Sequence, residues 1–286
     1  FTPKCDCAVL RAKNHNWTAL PKQLNSMNSL RIMEIRHGPL EKLPSNFDSN
    51  FPILSVLKLP QNELRNIPSS IGTMKLHVLH LQNNNLTALP SPIWGNEHVL
   101  ELEVGNNNIS EIPTTVQNAK MLTNLVVSNN SLSAVPKELF LVNGLLSLKL
   151  DGNYITSIPN EIENLKHLQI IDAQNNRIAS VSKEIEKLSR LDTLDIRNNI
   201  LDSIPAELSN LRSLIYIYLH GNPICSNGWL PKAPNSLQEL VKNSPGAGCN
   251  KQCSMFCKDV YTNDGMCDPE CNSLSCTFDR GDCERK

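Results

Sequence analysis

Four aspartates near the C-terminus, Asp264, Asp268, Asp279 and Asp282, lie among six cysteines that run from Cys253 to Cys283. Hard carboxylate oxygens in that number suit Ca2+, which accepts roughly six to eight oxygen ligands in flexible geometry. Zn2+ fits less well: clustered cysteines in even number read as disulfides, and an oxidised sulfur is not the thiolate zinc needs. The bland alternative is a charged, solvated loop. So short a segment buries too little surface to fold by hydrophobicity alone, so staples must hold it.

Elsewhere the groups that could do chemistry do not converge. His77 and His80 are three apart on an apparent strand and so point to opposite sides. Glu101 and Glu103 share a face, yet paired carboxylates on a solvated sheet are more often surface charge. No G-x-S-x-G, H-E-x-x-H or phosphate-cradling glycine loop occurs, and oxidised cysteines offer no thiol nucleophile. The expectation is a protein that binds and is not an enzyme.

Bulk properties agree with a soluble folded chain. Its 286 residues are 40% hydrophobic, with a formal net charge of −1. That balance offers no general attraction for nucleic acid or anionic membrane. No run of about eighteen apolar residues is present, so no segment reads as membrane-spanning. No basic and apolar leader opens the chain, so Phe1 reads as the start of a mature or trimmed chain. A membrane anchor outside it stays open. Two cysteines, Cys5 and Cys7, stand at the start and the other eight follow from Cys225 onward. Four N-x-S/T sequons accompany them, at Asn16, Asn85, Asn108 and Asn129. Together these features predict an extracellular protein, secreted or a cell-surface ectodomain.

A repeat must position whatever this protein binds with. Asn107, Asn130, Asn153, Asn176, Asn199 and Asn222 recur every 23 residues. The series runs back through Asn84 and Asn62, then to Gly38 and His15, where asparagine is replaced. Around each marker stands the frame L-x-x-L-x-L-x-x-N-x-L-x-x-L-P. One clean copy is Leu145, Leu148, Leu150, Asn153, Ile155, Ile158 and Pro159. This frame resembles the leucine-rich-repeat family over roughly Cys7 to Ile224, ten units with a degenerate first one. The resemblance implies an α/β solenoid with a parallel β-sheet on its concave face and a short helical or irregular convex face. Alternation puts framework leucines on one side of each strand, and coils must stack because none buries its own apolar face. The asparagine satisfies backbone groups where the chain turns off the strand. Gly38 and His15 do this less well, which predicts a looser N-terminal end. Ser182 replaces the usual proline as an irregularity of no evident function.

Both ends of an open solenoid need caps. Gly221-Asn222-Pro223-Ile224-Cys225 resembles the closing repeat of extracellular family members. A helix-like stretch from Ser236 to Val241 would lie across the last coil, and Cys249 would close on Cys225. Cys5 and Cys7 resemble the close of an N-terminal cap whose upstream cysteines are absent, and their pairing is open. From Cys253 the spacing C-x3-C-x9-C-x3-C-x4-C-x6-C resembles the Notch-type LNR module. Six cysteines alone allow fifteen connectivities. The resemblance implies Cys253–Cys276, Cys257–Cys271 and Cys267–Cys283. It also implies a structural Ca2+ on Asp264, Asp279 and Asp282, with Asp268 and a backbone carbonyl near Met266. The expected organisation is a cap and first repeat over 1–29, repeats over 30–224, a cap over 225–250 and a calcium-binding, disulfide-rich module over 251–286.

On the concave sheet, the residue between each pair of framework leucines points outward. That row reads Arg11, Glu34, Lys58, His80, Glu103, Val126, Lys149, Asp172, Asp195, Tyr218. The N-terminal third is basic, through Arg11, Lys13, Arg31, Arg36 and Lys58 with His77 and His80 beside them. Towards the C-terminus come Asp151, Asp172, Asp192 and Asp195, then Tyr216, Tyr218 and His220. Asp172 and Asp195 fall on adjacent strands about 4.8 Å apart, an unfavourable approach unless Lys149, Arg197 or a partner relieves it. Tyrosine is enriched in binding hot spots. Lys149, Asp172, Asp195, Arg197, Tyr216, Tyr218 and His220 are therefore the candidate protein-binding residues. Glycans on the sequons would line one lateral edge of the N-terminal half. Three roles fit: recognition of a protein ligand, a regulatory ectodomain whose LNR module masks a site, or a structural matrix protein.

Overall fold

The computed structural model describes residues 8–226 and 234–243. Ten short strands, one per coil, form a single parallel sheet whose spatial order follows the chain from Val9–Lys13 to Tyr216–Tyr218. The register is uniform: Arg11 pairs with Glu34, Glu34 with Lys58, and so on through Asp172, Asp195 and Tyr218. The outward row read from the sequence is therefore one continuous row across the sheet. Framework residues such as Leu57, Leu125 and Leu194 are fully buried in one core that runs the length of the solenoid.

Each repeated asparagine closes two coils at once. Asn153 Nδ2 donates to the carbonyls of Val127 (3.0 Å), Leu150 (2.8 Å) and Asp151 (3.2 Å), while its Oδ1 accepts from Leu132 N–H (3.0 Å). The same four-way set recurs at Asn107, Asn130 and Asn176. The residue before each ladder position has positive φ, from Asn14 (55°) to Asn198 (53°), with Gly152 at 65°. Asparagine tolerates that left-handed region better than other side-chain-bearing residues, which accounts for the repeated Asn-Asn doublets.

At the N-terminal end His15 takes over part of the ladder's bonding. Gly38 has no side chain to contribute, and a Cβ there would collide with the His15 ring. Through that gap His15 Nε2 reaches Asn62 Oδ1 at 3.1 Å, two coils away. Trp17 N–H donates to His15 Nδ1 at 3.2 Å, so Nε2 carries the proton and the ring is neutral. Burial lowers its pKa, partly offset by the Asn62 bond. A depressed histidine pKa leaves stability intact above the unfolded value and removes it as pH falls through the folded one. Acidification should thus lower the exchange protection of the Trp17 amide more than that of amides in the central coils. Amide exchange corrected for intrinsic rates, on the native chain and on H15N, checks this. H15N should lose the pH dependence.

The convex side is built mainly of single 3-10 turns, most of them launched by a proline, as in Pro68 before Ser69–Thr73 and Pro159 before Asn160–Asn164. Ser182 holds the same backbone geometry (φ −63°, ψ 140°) and accepts the Glu184 N–H at 3.1 Å. It is a working helix cap, so its replacement of proline does have a local role. The one long repeat has a physical cause. Phe47–Asn50 is an α-turn, with Phe51 N–H bonded to Phe47 O, so Phe47 and Phe51 are four residues apart instead of three. The next coil is one residue short, and Asn96, buried at a framework position, takes up the exposed carbonyls of Gly72 and Met74, both at 2.9 Å. The helix Asn235–Asn243 buries Val241 and packs on the Ala206–Asn210 turn, where a C-terminal cap was expected.

Candidate protein-recognition site

Three outward rows cross the concave sheet, and in the last coils they lock together. Arg197 Nη2 stands 2.8 Å from Asp195 Oδ2, and Arg197 N–H donates to Asp195 Oδ1 at 3.3 Å. Arg197 Nε donates to Gln174 Oε1 at 2.8 Å, and Gln174 Nε2 donates to Asp172 Oδ2 at 3.2 Å. The Arg197 guanidinium also lies 5.4 Å from the Tyr218 ring centre, a cation–π distance. Tyr218 stacks on Tyr216 with centroids 6.4 Å apart and planes 7° from parallel.

Burial sorts these residues by role. Asp195 is 0% exposed and Asp172 3%, whereas Tyr216 is 36% exposed. The two aspartates lie beneath the surface and hold Arg197 and Gln174 in place, and Tyr216 presents the ring. Gln174 joins the two acids to one arginine. Its chemical type alone gives no warning of that bridge. Burial pushes the Asp172 carboxyl up to about 6, helped by Asp151 and opposed by the Gln174 hydrogen bonds and Arg197. Burial likewise pushes Asp195 up to about 7, opposed chiefly by Arg197 and helped by Asp172 and Asp151. The expected strain between the acids is thus relieved in part by Arg197. Lys149 and His220 lie on the same face, in strand register with Asp172 and just beyond Tyr218 respectively.

At mid-sheet, His80 lies between Glu101 Oε2 (3.4 Å from Nε2) and Glu103 Oε2 (3.7 Å from Nδ1). Burial lowers its pKa against the pull of Glu103. His77 is exposed and makes no pair with it. All four sequon asparagines are exposed. Cys225 is disulfide-bonded. Cys5, Cys7, Cys249, Cys253, Cys257, Cys267, Cys271, Cys276 and Cys283, with Asp264, Met266, Asp268, Asp279 and Asp282, lie outside the described residues.

Models of the leucine-rich repeat match residues 75–96, 120–178 and 166–224, and the LNR-domain model matches residues 248–284. The chain is a leucine-rich-repeat protein with a C-terminal LNR domain. Solved structures share the solenoid. A leucine-rich-repeat protein of Leptospira interrogans is 29% identical with a TM-score of 0.75, over 84% of this chain and 59% of that one. A plant peptide hormone receptor, solved in complex with RGF2, is 26% identical with a TM-score of 0.59, over 75% of this chain and 40% of the receptor. An internalin of Listeria monocytogenes, at 21% identity and a TM-score of 0.69, shares the fold over 82% of this chain and 65% of its own. This leucine-rich-repeat protein thus spans about three-fifths or less of the first two. No curated protein matches it. Among the described residues, no helix is long and apolar enough to cross a membrane.

Proposed function

We propose that this protein is a non-enzymatic extracellular recognition protein that binds a protein ligand on the concave face of its last four coils. The observation that carries the reading is the fixed Tyr216–Tyr218–Arg197 stack, anchored from below by Asp195 and Gln174. Aromatic and arginine side chains held rigid before binding lose little entropy on contact, which is how hot spots gain affinity. The plant receptor with its bound peptide, and the general use of such solenoids as binding scaffolds, support a protein partner. Lys149 and His220 would flank the stack, with Asp172 and Asp195 acting through their neighbours. Extracellular placement is supported by the LNR domain, the Cys225 disulfide and the exposed sequons. Capture of extracellular partners with the intact chain and with the Y216A/H220A double variant tests the reading. A partner retained by the native face and lost by the variant supports it, and equal capture refutes it.

The proposal for the LNR module is a structural Ca2+ held by Asp264, Asp279 and Asp282, with Asp268 and the carbonyl near Met266 completing the shell. The donor set is all oxygen, which suits a hard cation. Three disulfides, Cys253–Cys276, Cys257–Cys271 and Cys267–Cys283, would hold the donors together, while Cys225–Cys249 closes the cap. Chelation should expose the 251–286 segment to proteolysis while leaving the solenoid melt unmoved. Calorimetry without calcium binding from micromolar to millimolar concentration would sink this part of the account.

A further inference from the structure

The opposite end of the concave face has a different chemistry, and nothing in the proposed hot spot uses it. In the first three coils, Arg11, Lys13, Arg36 and Lys58 face outward against one carboxylate, Glu34. Glu34 is shared, with Oε2 3.3 Å from Arg11 Nε and Oε1 3.4 Å from Arg36 Nε. Half of each guanidinium's bonding capacity or more is therefore still available, since each has five N–H donors. Lys13, exposed in the same row as Arg36, forms no ion pair among the described residues. The basic zone ends at His80, where Glu101 and Glu103 begin.

Beside these cations runs a second row, also in strand register: Val9, Ile32, Val56 and Val78. All four are at least partly exposed, Val9 to 42%. In the fifth to seventh coils the same row turns polar, as Glu101, Asn124 and Ser147. The aliphatic strip and the excess positive charge thus share the first three coils, and Val78 carries the strip one coil past Lys58. Strands about 4.8 Å apart set Arg11 and Lys13, then Arg36, then Lys58 each beside one aliphatic side chain. A sulfated polysaccharide would use the charge and leave the aliphatic row in water. An extended polypeptide with carboxylates and aliphatic side chains uses both.

We propose that the concave face of the first four coils is a second subsite, which binds an acidic, aliphatic polypeptide segment through Arg11, Lys13, Arg36 and Lys58 beside Val9, Ile32, Val56 and Val78. It deepens the recognition reading above but rests on separate residues. A segment bound there places its carboxylates between Lys13 and Arg36, as Glu34 already sits between Arg11 and Arg36. Its aliphatic side chains cover the valine row.

The test uses the full chain and three fluorescent probes: a dodecapeptide of alternating Glu and Val, the same peptide with Ser for Val, and a heparin oligosaccharide of similar charge. Anisotropy is measured at low and moderate salt. The Glu–Val peptide should bind at least tenfold more tightly than the Glu–Ser peptide and than the oligosaccharide. The K13E/R36E variant, changed only at exposed side chains, should lose that binding at least tenfold, whereas Y216A/H220A should retain it. Equal binding of the two peptides, preference for heparin, or indifference to K13E/R36E overturns the proposal. Loss of partner capture by Y216A/H220A bears only on the hot spot, so the two claims fail separately.

Discussion

Arg197→Ala should destabilise the solenoid by roughly 3–5 kcal/mol at pH 8, the cost of leaving a buried charge without its partner. The cost arises because Asp195 is fully buried and Arg197 Nη2 faces its Oδ2 at 2.8 Å. The penalty should shrink towards pH 5.5. Asp195 is raised to about 7 and Asp172 to about 6, so at acid pH both are neutral and need no cation. The sign follows from linkage: a carboxyl with a raised folded pKa binds its proton more tightly in the folded state. The stability it contributes is present at low pH and is lost as pH rises through 6 to 7. The native protein should therefore weaken gently across that window, and R197A should weaken steeply. Denaturant titrations at pH 5.5 and 8 measure both. An R197A penalty that does not change with pH would show that Arg197 is not balancing Asp195. The same variant removes the guanidinium from beside Tyr218 and should impair partner capture even at pH 5.5, where it folds well.

A comparable loss should follow Asn153→Ala, at a position that touches no ligand. The deletion strands the Leu132 N–H and removes the donor shared by Val127, Leu150 and Asp151 carbonyls. Each orphaned buried group costs about 1–3 kcal/mol, and the geometry leaves at least two. A total near 4 kcal/mol corresponds to a fall in Tm of roughly 8–16 °C for a protein of this size. Because Asn153 bonds only within its own coil and to the coil before it, protection should fall most in the coils of Asn130, Asn153 and Asn176. Thr156→Ala, at an exposed site in the same coil, is the control and should change Tm little. A Tm shift no larger than the control's would mean that the ladder is decorative.

The sequence carried most of this architecture because a repeat writes each constraint ten times. One asparagine hydrogen-bonds by chance, but asparagines at one period cannot. The concave rows follow from the same phase, and the structure keeps them in register from Arg11 to Tyr218. What the sequence hid were the departures from period. His15 and Gly38 read as two weak positions because neither is asparagine. Together they are one substitute, since the glycine leaves the space through which the histidine reaches Asn62. Asn96 carries no signal of its own in the repeat frame; its role, bonding the Gly72 and Met74 carbonyls, follows only from the short coil beside it. The left-handed residue before each ladder position hides for another reason: in an Asn-Asn doublet the ladder explains the second asparagine and leaves the first without a periodic role of its own. The bridge through Gln174 is not legible in the sequence because one of its partners, Arg197, is brought to it by coil stacking and not by spacing along the chain.

Recognition on the concave face of the last coils should leave a footprint in backbone hydrogen exchange. On the intact chain, free and bound to its captured partner, new protection is expected in Thr193–Asp195, Tyr216–Tyr218 and the residues through His220, with the convex turns at Lys183–Lys187 and Ala206–Asn210 unchanged. Protection confined to those convex turns, with the concave strands unaffected, would contradict concave-face recognition.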